Sequence, residues 1–192
     1  MFKRICVYCG SNPGNDPAYV TSARIMGRAL AERGIELVYG GVGLGLMGAV
    51  ADGVLEGGGQ AIGIIPKDLL KMEIAHAGLT ELHVVDNMHE RKRLMAARAD
   101  AFVALPGGSG TLDELFEIFT WAQLGFHAKP IGLLHVNGFY TPLLAMMDHL
   151  VETGFIKRVH ADMLLTAATP DDLLDRMARY QAPNVSKWNH GH

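Results

Sequence analysis

The stretch Ala101-Phe-Val-Ala-Leu105-Pro106-Gly107-Gly108-Ser109-Gly110-Thr111-Leu112-Asp113-Glu114 decides the fold. Ala101–Leu105 is apolar at every position, as a strand covered on both faces must be. Pro106 and three glycines then break the run, and a helical pattern opens around Thr111 or Leu112 with an apolar stripe of Leu115, Ile118 and Ala122. Strand, glycine turn and helix in succession make one βα unit of a parallel sheet.

The same unit recurs on both sides of it. Strands are expected at Arg4–Cys9, Glu36–Tyr39, Gln60–Ile65, Glu81–Val85, Ala101–Leu105, Ile131–Leu134 and Leu164–Thr166. Helical patterns lie between them near Pro17–Arg33, Leu46–Glu56, His89–Ala99, Leu112–Leu124, Pro142–Thr153 and Pro170–Arg179. Hydrophobic strands alternating with helices predict an α/β fold, a Rossmann-like doubly wound parallel sheet in a single domain over residues 1–180. Residues 181–192 lose periodicity and read as a loose tail. Ligands of such sheets bind beyond the carboxyl ends of the strands, where the strand order reverses. Glycine turns fall there three times, at Cys9–Gly14, Gly40–Gly45 and Pro106–Thr111, which predicts one crevice where backbone approaches a ligand closely.

Composition narrows the functions. Hydrophobic residues make up 49% and charged residues 19% of 192, a globular balance. The net charge of −3 lacks the basic surplus that neutralises nucleic-acid phosphates, so no nucleic-acid partner is expected. Local clusters such as Glu90-Arg91-Lys92-Arg93 suit a small anion. No run approaches the roughly 20 apolar residues of a membrane span, and Met1-Phe-Lys-Arg4 runs straight into strand-like sequence without a signal peptide. A cytoplasmic protein with no membrane partner is the expectation. Cys6 and Cys9 have C-x-x-C spacing, yet residues three apart on a strand point to opposite faces, and no helix follows to stabilise a thiolate. Ordinary strand thiols are the better reading. The nine histidines have no ligand spacing, so neither metal nor cofactor is expected.

The chemistry concentrates in three motifs. Free N–H groups at the start of the helix after Pro106-Gly-Gly-Ser-Gly110 make a phosphate cradle. No Lys-Ser/Thr follows it, which favours a monophosphate over a nucleoside triphosphate. Gly43-Leu-Gly45-Leu-Met-Gly48 matches G-x-G-x-x-G, but no acidic residue for a ribose stands about 20 residues on, so a turn lining another pocket is preferred. Thr111-x-x-Glu114 has the spacing of a capping box, and on a helical wheel Glu114 also borders the apolar stripe on the crevice side, while Asp113 and Glu117 lie further from it. Both readings of Glu114 stand at this point. Met88-His-Glu-Arg91-Lys92 opens the preceding helix with Arg91 and Lys92 flanking its buried stripe, where a cation calls for an anion.

Pro106-Gly-Gly-Ser-Gly-Thr111-Leu-Asp-Glu114 resembles the P-G-G-x-G-T-x-x-E signature of the LONELY GUY (LOG) proteins, cytokinin riboside 5′-monophosphate phosphoribohydrolases long labelled lysine decarboxylases. Met88-x-x-Arg91-Lys92 resembles their second motif, and Cys9-Gly-Ser11 and Gly40–Gly48 their glycine turns, so the resemblance runs from about Arg4 to Tyr180. It implies a homodimeric enzyme with Arg91 and Glu114 as catalytic pair. Gly107, Gly108, Ser109, Gly110 and Thr111 would hold the phosphate, with Ser11 nearby; Gly41, Glu73, Met88, Lys92 and Thr120 would be further substrate contacts. Asp113 departs from the Glu that many members carry, leaving the motif glutamate intact. A lysine decarboxylase would need a Schiff-base lysine in a pyridoxal phosphate scaffold, and no lysine has a recognisable setting for one.

The implied reaction is hydrolysis of the N-glycosidic bond of a nucleoside 5′-monophosphate, an AMP or an N6-modified AMP. A carboxylate such as Glu114 would stabilise the developing ribosyl cation and orient or deprotonate water. Two alternatives remain open here: a non-enzymatic nucleotide or molybdenum-cofactor carrier of the same architecture, and a nucleoside deoxyribosyltransferase-like enzyme that passes the sugar to a second base.

Overall fold

The computed structural model describes residues 2–71 and 75–185. The chain alternates strand and helix as β1 (Arg4–Tyr8), α1 (Pro17–Glu32), β2 (Glu36–Tyr39), α2 (Gly45–Glu56), β3 (Ala61–Pro66), α3 (Lys67–Leu70), β4 (Glu81–Val85), α4 (Met88–Arg98) and β5 (Ala101–Ala104). It continues as α5 (Ser109–Gln123), β6 (Ile131–Leu134), α6 (Thr141–Glu152), α7 (Arg158–Ala161), β7 (Leu164–Ala167) and α8 (Pro170–Ala178). Each expected strand and long helix is present within a few residues. The one-turn helices α3 and α7, and a 3₁₀ turn at Val136–Gly138, were not anticipated, because so short an element has no periodicity to detect.

All strand pairings are parallel, in the order β4-β3-β2-β1-β5-β6-β7. The order reverses between β1 and β5, the two central strands, so the connections leaving their carboxyl ends diverge and leave a crevice. One core lies on each face. Ile5, Val7 and Cys9 pack with α1, α2 and α8, while Cys6 and Tyr8 pack with α4, α5 and α6. The two thiols therefore face opposite sides of the sheet, as the strand period requires; both are free, buried, and pushed upward in pKa by desolvation. β4 departs from the doubly covered expectation: as an edge strand it leaves Leu82 and Val84 exposed.

Hydrogen bonds at the carboxyl end of the sheet lace the glycine turns together. Gly10 N–H donates to the Pro106 carbonyl at 3.1 Å, and the Gly10 carbonyl accepts from Leu46 and Met47 N–H at 3.0 and 3.3 Å. The buried Tyr140 hydroxyl donates to the Leu105 carbonyl at 2.6 Å, fixing the point where the Pro106 turn leaves β5. After α8, residues 181–185 carry no regular structure, and the Val185 carbonyl lies 3.1 Å from His160 Nε2.

Tyr140→Phe removes the hydroxyl and leaves the Leu105 carbonyl without that donor. Urea unfolding of the variant is expected to show a loss of about 1–2 kcal/mol with an unchanged denaturant slope.

Candidate active site

The crevice is a cavity of about 560 Å³ over the ends of β1, β2 and β5, capped by the first turns of α4 and α5. It brings together Ser11, Met88, Arg91, the whole Gly107–Thr111 turn and Glu114.

α5 is N-capped by Gly108, which brings no side-chain acceptor, and its ladder starts with Leu112 N–H to Gly108 carbonyl at 3.2 Å. The N–H groups of Ser109, Gly110 and Thr111 precede that bond and point out of the helix end, where an anion satisfies them. Gly107 is required by close approach: a Cβ there would run into the Thr111 side chain and the Gly10 amide. The other glycine turn differs in this respect. Two of the three leading amides of α2, those of Leu46 and Met47, are already consumed by the Gly10 carbonyl. Gly43–Gly48 is thus a packing turn that lines the cavity through Leu46 and Met47.

Glu114 is not a capping-box residue. The helix begins at Ser109, three residues earlier than a Thr111 N-cap requires, so Glu114 lies beyond the first turn. Its side chain faces the cavity in a residue only 6% exposed. Burial raises its pKa from 4.5 to about 7, against the lowering pull of the nearby Arg91 charge and with a smaller push from Asp113.

Arg91 is 5% exposed, and among the described residues it closes no ion pair. One Nη reaches Met88 Sδ at 3.7 Å, and its Nε is buried without a hydrogen-bond partner. A buried guanidinium left in this state is costly, and an incoming anion relieves it. α4 is positioned by Asn87, whose side chain accepts from Glu90 N–H at 2.9 Å, while the Glu90 carboxylate accepts from Asp86 N–H at 2.8 Å.

Other expected contacts lie elsewhere. Lys92 spans α4 and α5, its ammonium 3.1 Å from Asp113 and 3.2 Å from Glu117, so its charge is neutralised by protein. Thr120 lines a separate shallow groove on α5 with Phe116 and Trp121. Gly41 does not line the cavity: at φ 79° it faces Gly63 and Ile64 of β3, and its carbonyl accepts from His76 N–H at 3.0 Å. Glu73 lies outside the described residues. The cavity also has lining residues that carried no sequence signal: Tyr19 from α1 and Phe139 after β6, whose rings meet edge-on at 5.6 Å, and Asn12 and Asn15 between β1 and α1. Nothing in a local pattern marks residues that meet only through the sheet order.

The family model described as "Possible lysine decarboxylase" matches residues 47–177. The chain is 50% identical over 179 residues to the cytokinin riboside 5′-monophosphate phosphoribohydrolase LOG of Oryza sativa subsp. japonica, covering 93% of this chain and 74% of that one. It is 48% identical over 180 residues to an enzyme of the same name from Arabidopsis thaliana, covering 94% and 83%. The chain belongs to the LOG family. Solved structures with the same fold are more distant in sequence. A molybdenum cofactor binding protein from Rippkaea orientalis superposes with a TM-score of 0.71 at 20% identity, over 93% of this chain and 96% of that one. DNA processing protein A from Helicobacter pylori superposes with 0.57 at 17% identity, over 92% and 80%. That one fold carries such different activities means the LOG-type chemistry must be argued from the cavity itself.

A raised carboxyl has a signature in stability. Between about pH 4.5 and 7 the folded state keeps a proton on Glu114 that the unfolded chain has lost, so stability falls as pH rises through that window and levels off above it. Glu114→Gln removes this dependence. The variant is expected to gain stability over wild type at pH 8, by at most roughly 3 kcal/mol, and to gain little at pH 4.5, as measured by urea unfolding at both.

Proposed function

We propose that this chain hydrolyses the N-glycosidic bond of adenosine 5′-monophosphates, N6-modified ones included, releasing the free base and ribose 5-phosphate. The observation that carries the proposal is Glu114, a buried carboxyl held near neutrality beside an unpaired arginine in the cavity that the open end of α5 faces. The naming of relatives about half identical to the chain as cytokinin riboside 5′-monophosphate phosphoribohydrolases supports the same reaction.

In this proposal the 5′-phosphate sits on the amides of Ser109, Gly110 and Thr111, where the helix end attracts negative charge. Ser11 and Gly107 border the same position. Anchoring the phosphate brings the anomeric carbon toward Glu114. Water attacks that carbon, the carbon–nitrogen bond breaks, and the electron pair leaves with the base, which takes up a proton from solvent while the proton collected by Glu114 is later returned to solvent. Glu114 accepts the proton of the water and its charge stabilises the ribosyl cation that develops. A base with pKa near 7 is well matched to that task at neutral pH. Arg91 supplies positive charge to the phosphate, the ribose or the departing base. No lysine lines the cavity among the described residues, so a Schiff-base chemistry matching the "lysine decarboxylase" description has no group to start from there. One hydrolase domain over residues 1–180, a second copy of the chain as partner and a cytoplasmic setting complete the proposal. Among the described residues no helix is long and apolar enough to cross a membrane.

Release of base from AMP and N6-isopentenyl-AMP, each compared with its riboside, tests the reaction. Wild type is expected to act on the monophosphates and not on the ribosides. Glu114→Gln should lose on the order of 100-fold or more in kcat and lose the acidic limb of the pH profile near 7. Tight AMP binding without any release would favour a carrier, and base exchange in place of hydrolysis a transferase.

A further inference from the structure

We infer that Gly40 is a positioning residue for Arg91: the missing side chain at the end of β2 is the seat in which the guanidinium rests. The inference deepens the proposed hydrolase reading, since it concerns the same cavity.

A glycine is required for backbone reasons where φ is positive, and Gly40 is not among the glycines with positive φ. Alanine therefore fits its conformation. What a Cβ would meet there is Arg91: Nη2 in direct overlap, Cζ at 3.2 Å, and also Met47 Sδ at 3.1 Å. All three atoms belong to side chains. Gly27 and Gly53 behave differently, because a Cβ at either would press on the backbone carbonyl of the facing helix, Val50 in one case and Arg24 in the other. Backbone cannot yield without separating α1 from α2, whereas an arginine side chain can swing away.

This contrast separates the two kinds of glycine. At Gly40 an added methyl displaces a movable group, so the fold tolerates it and the cost falls on where the guanidinium points. Among the described residues no ion pair holds Arg91, and its charge acts on Glu114 only from a distance. Its Nε is unpartnered, and the one side-chain hydrogen bond it makes among the described residues, to Met88 Sδ at 3.7 Å, is weak. With little else to hold the guanidinium, its position depends on the shape of the wall behind it, and that wall is the bare Cα of Gly40.

The experiment uses the full chain as wild type, Gly40→Ala, Arg91→Ala and the double variant. Urea midpoints of Gly40→Ala and wild type should agree, while Gly27→Ala, as a packing control, should be clearly destabilised. Gly40→Ala should lower kcat/KM for AMP by about 100-fold, the loss expected when a catalytic group is misplaced by about 1 Å. The loss should divide between kcat and KM as it does in Arg91→Ala, and adding Gly40→Ala to Arg91→Ala should cause no further loss. In a ¹⁵N–¹H spectrum the Arg91 Nε–H signal, identified by its absence in Arg91→Ala, should shift or vanish in Gly40→Ala. Full activity in Gly40→Ala, additive losses in the double variant, or an unmoved Nε–H signal would overturn the inference. Should Gly40→Ala fail to fold, a folded double variant still assigns the clash to Arg91, and an unfolded one refutes it. If wild type releases no base, the hydrolase reading fails, and the Nε–H signal still judges Gly40.

Discussion

A hydrogen bond from Gly10 N–H to the Pro106 carbonyl joins the ends of β1 and β5, the two strands at which the sheet order reverses. Everything in the cavity hangs on that junction. The connection after β1 must turn one way and the connection after β5 the other, so the space between them would open freely if nothing tied their first residues. The Gly10 carbonyl extends the tie to a third strand end by accepting from the first amides of α2. Tyr140 holds the same junction from the β6 side through the Leu105 carbonyl. Three glycine turns are thereby held at fixed spacing, and α5 starts from a defined point with its leading amides unoccupied.

That geometry sets the electrostatics. The open end of α5 and the Arg91 guanidinium both attract negative charge, and the rest of the cavity wall mixes Leu46, Met47, Met88, Tyr19 and Phe139 with the polar Ser11, Asn12 and Asn15. Glu114 sits among them as the one buried acid of the cavity in the described residues. Desolvation favours its neutral form, and the nearby Arg91 and Lys92 charges favour the ionised one, leaving its pKa at about 7. A carboxyl balanced between burial and a positive neighbour changes protonation state at little cost, which is what a proton-accepting group needs. The ion pairs of Lys92 with Asp113 and Glu117 at the cavity rim tie α4 to α5, the helices that carry Arg91 and Glu114.

Much of this is legible in the order of residues. An unbroken apolar run followed by Pro-Gly-Gly-Ser-Gly and a helical stripe can only be a buried parallel strand, a tight turn and a helix, because each backbone state is demanded locally. The alternation of such units predicts the sheet, and the period of two along Ile5–Cys9 separates the two cysteines onto opposite faces. The wheel position of Glu114 already points it at the crevice. Where local reasoning fails, the cause can be named. Thr111-x-x-Glu114 has the spacing of a capping box, and only the earlier start of α5 at Ser109 removes that role. Lys92 and Arg91 flank one stripe symmetrically in sequence, yet one is neutralised by α5 carboxylates and the other is left bare.

The sequence by itself determined the strand–turn–helix units, the parallel sheet and the residue types able to hold an anion and move a proton. Those follow from backbone sterics and from the hydrophobic period, which act over a few residues. Only the tertiary structure decided which turn keeps its amides free, how far Glu114 is buried and what stands behind Arg91. Each depends on a neighbour from a distant strand: Gly10 consumes two amides of α2, Glu114 is buried near Cys6 and Tyr8 of β1, and Gly40 leaves room for the guanidinium. Such contacts arise when β1 and β5 meet at the centre of the sheet, and no local pattern encodes them.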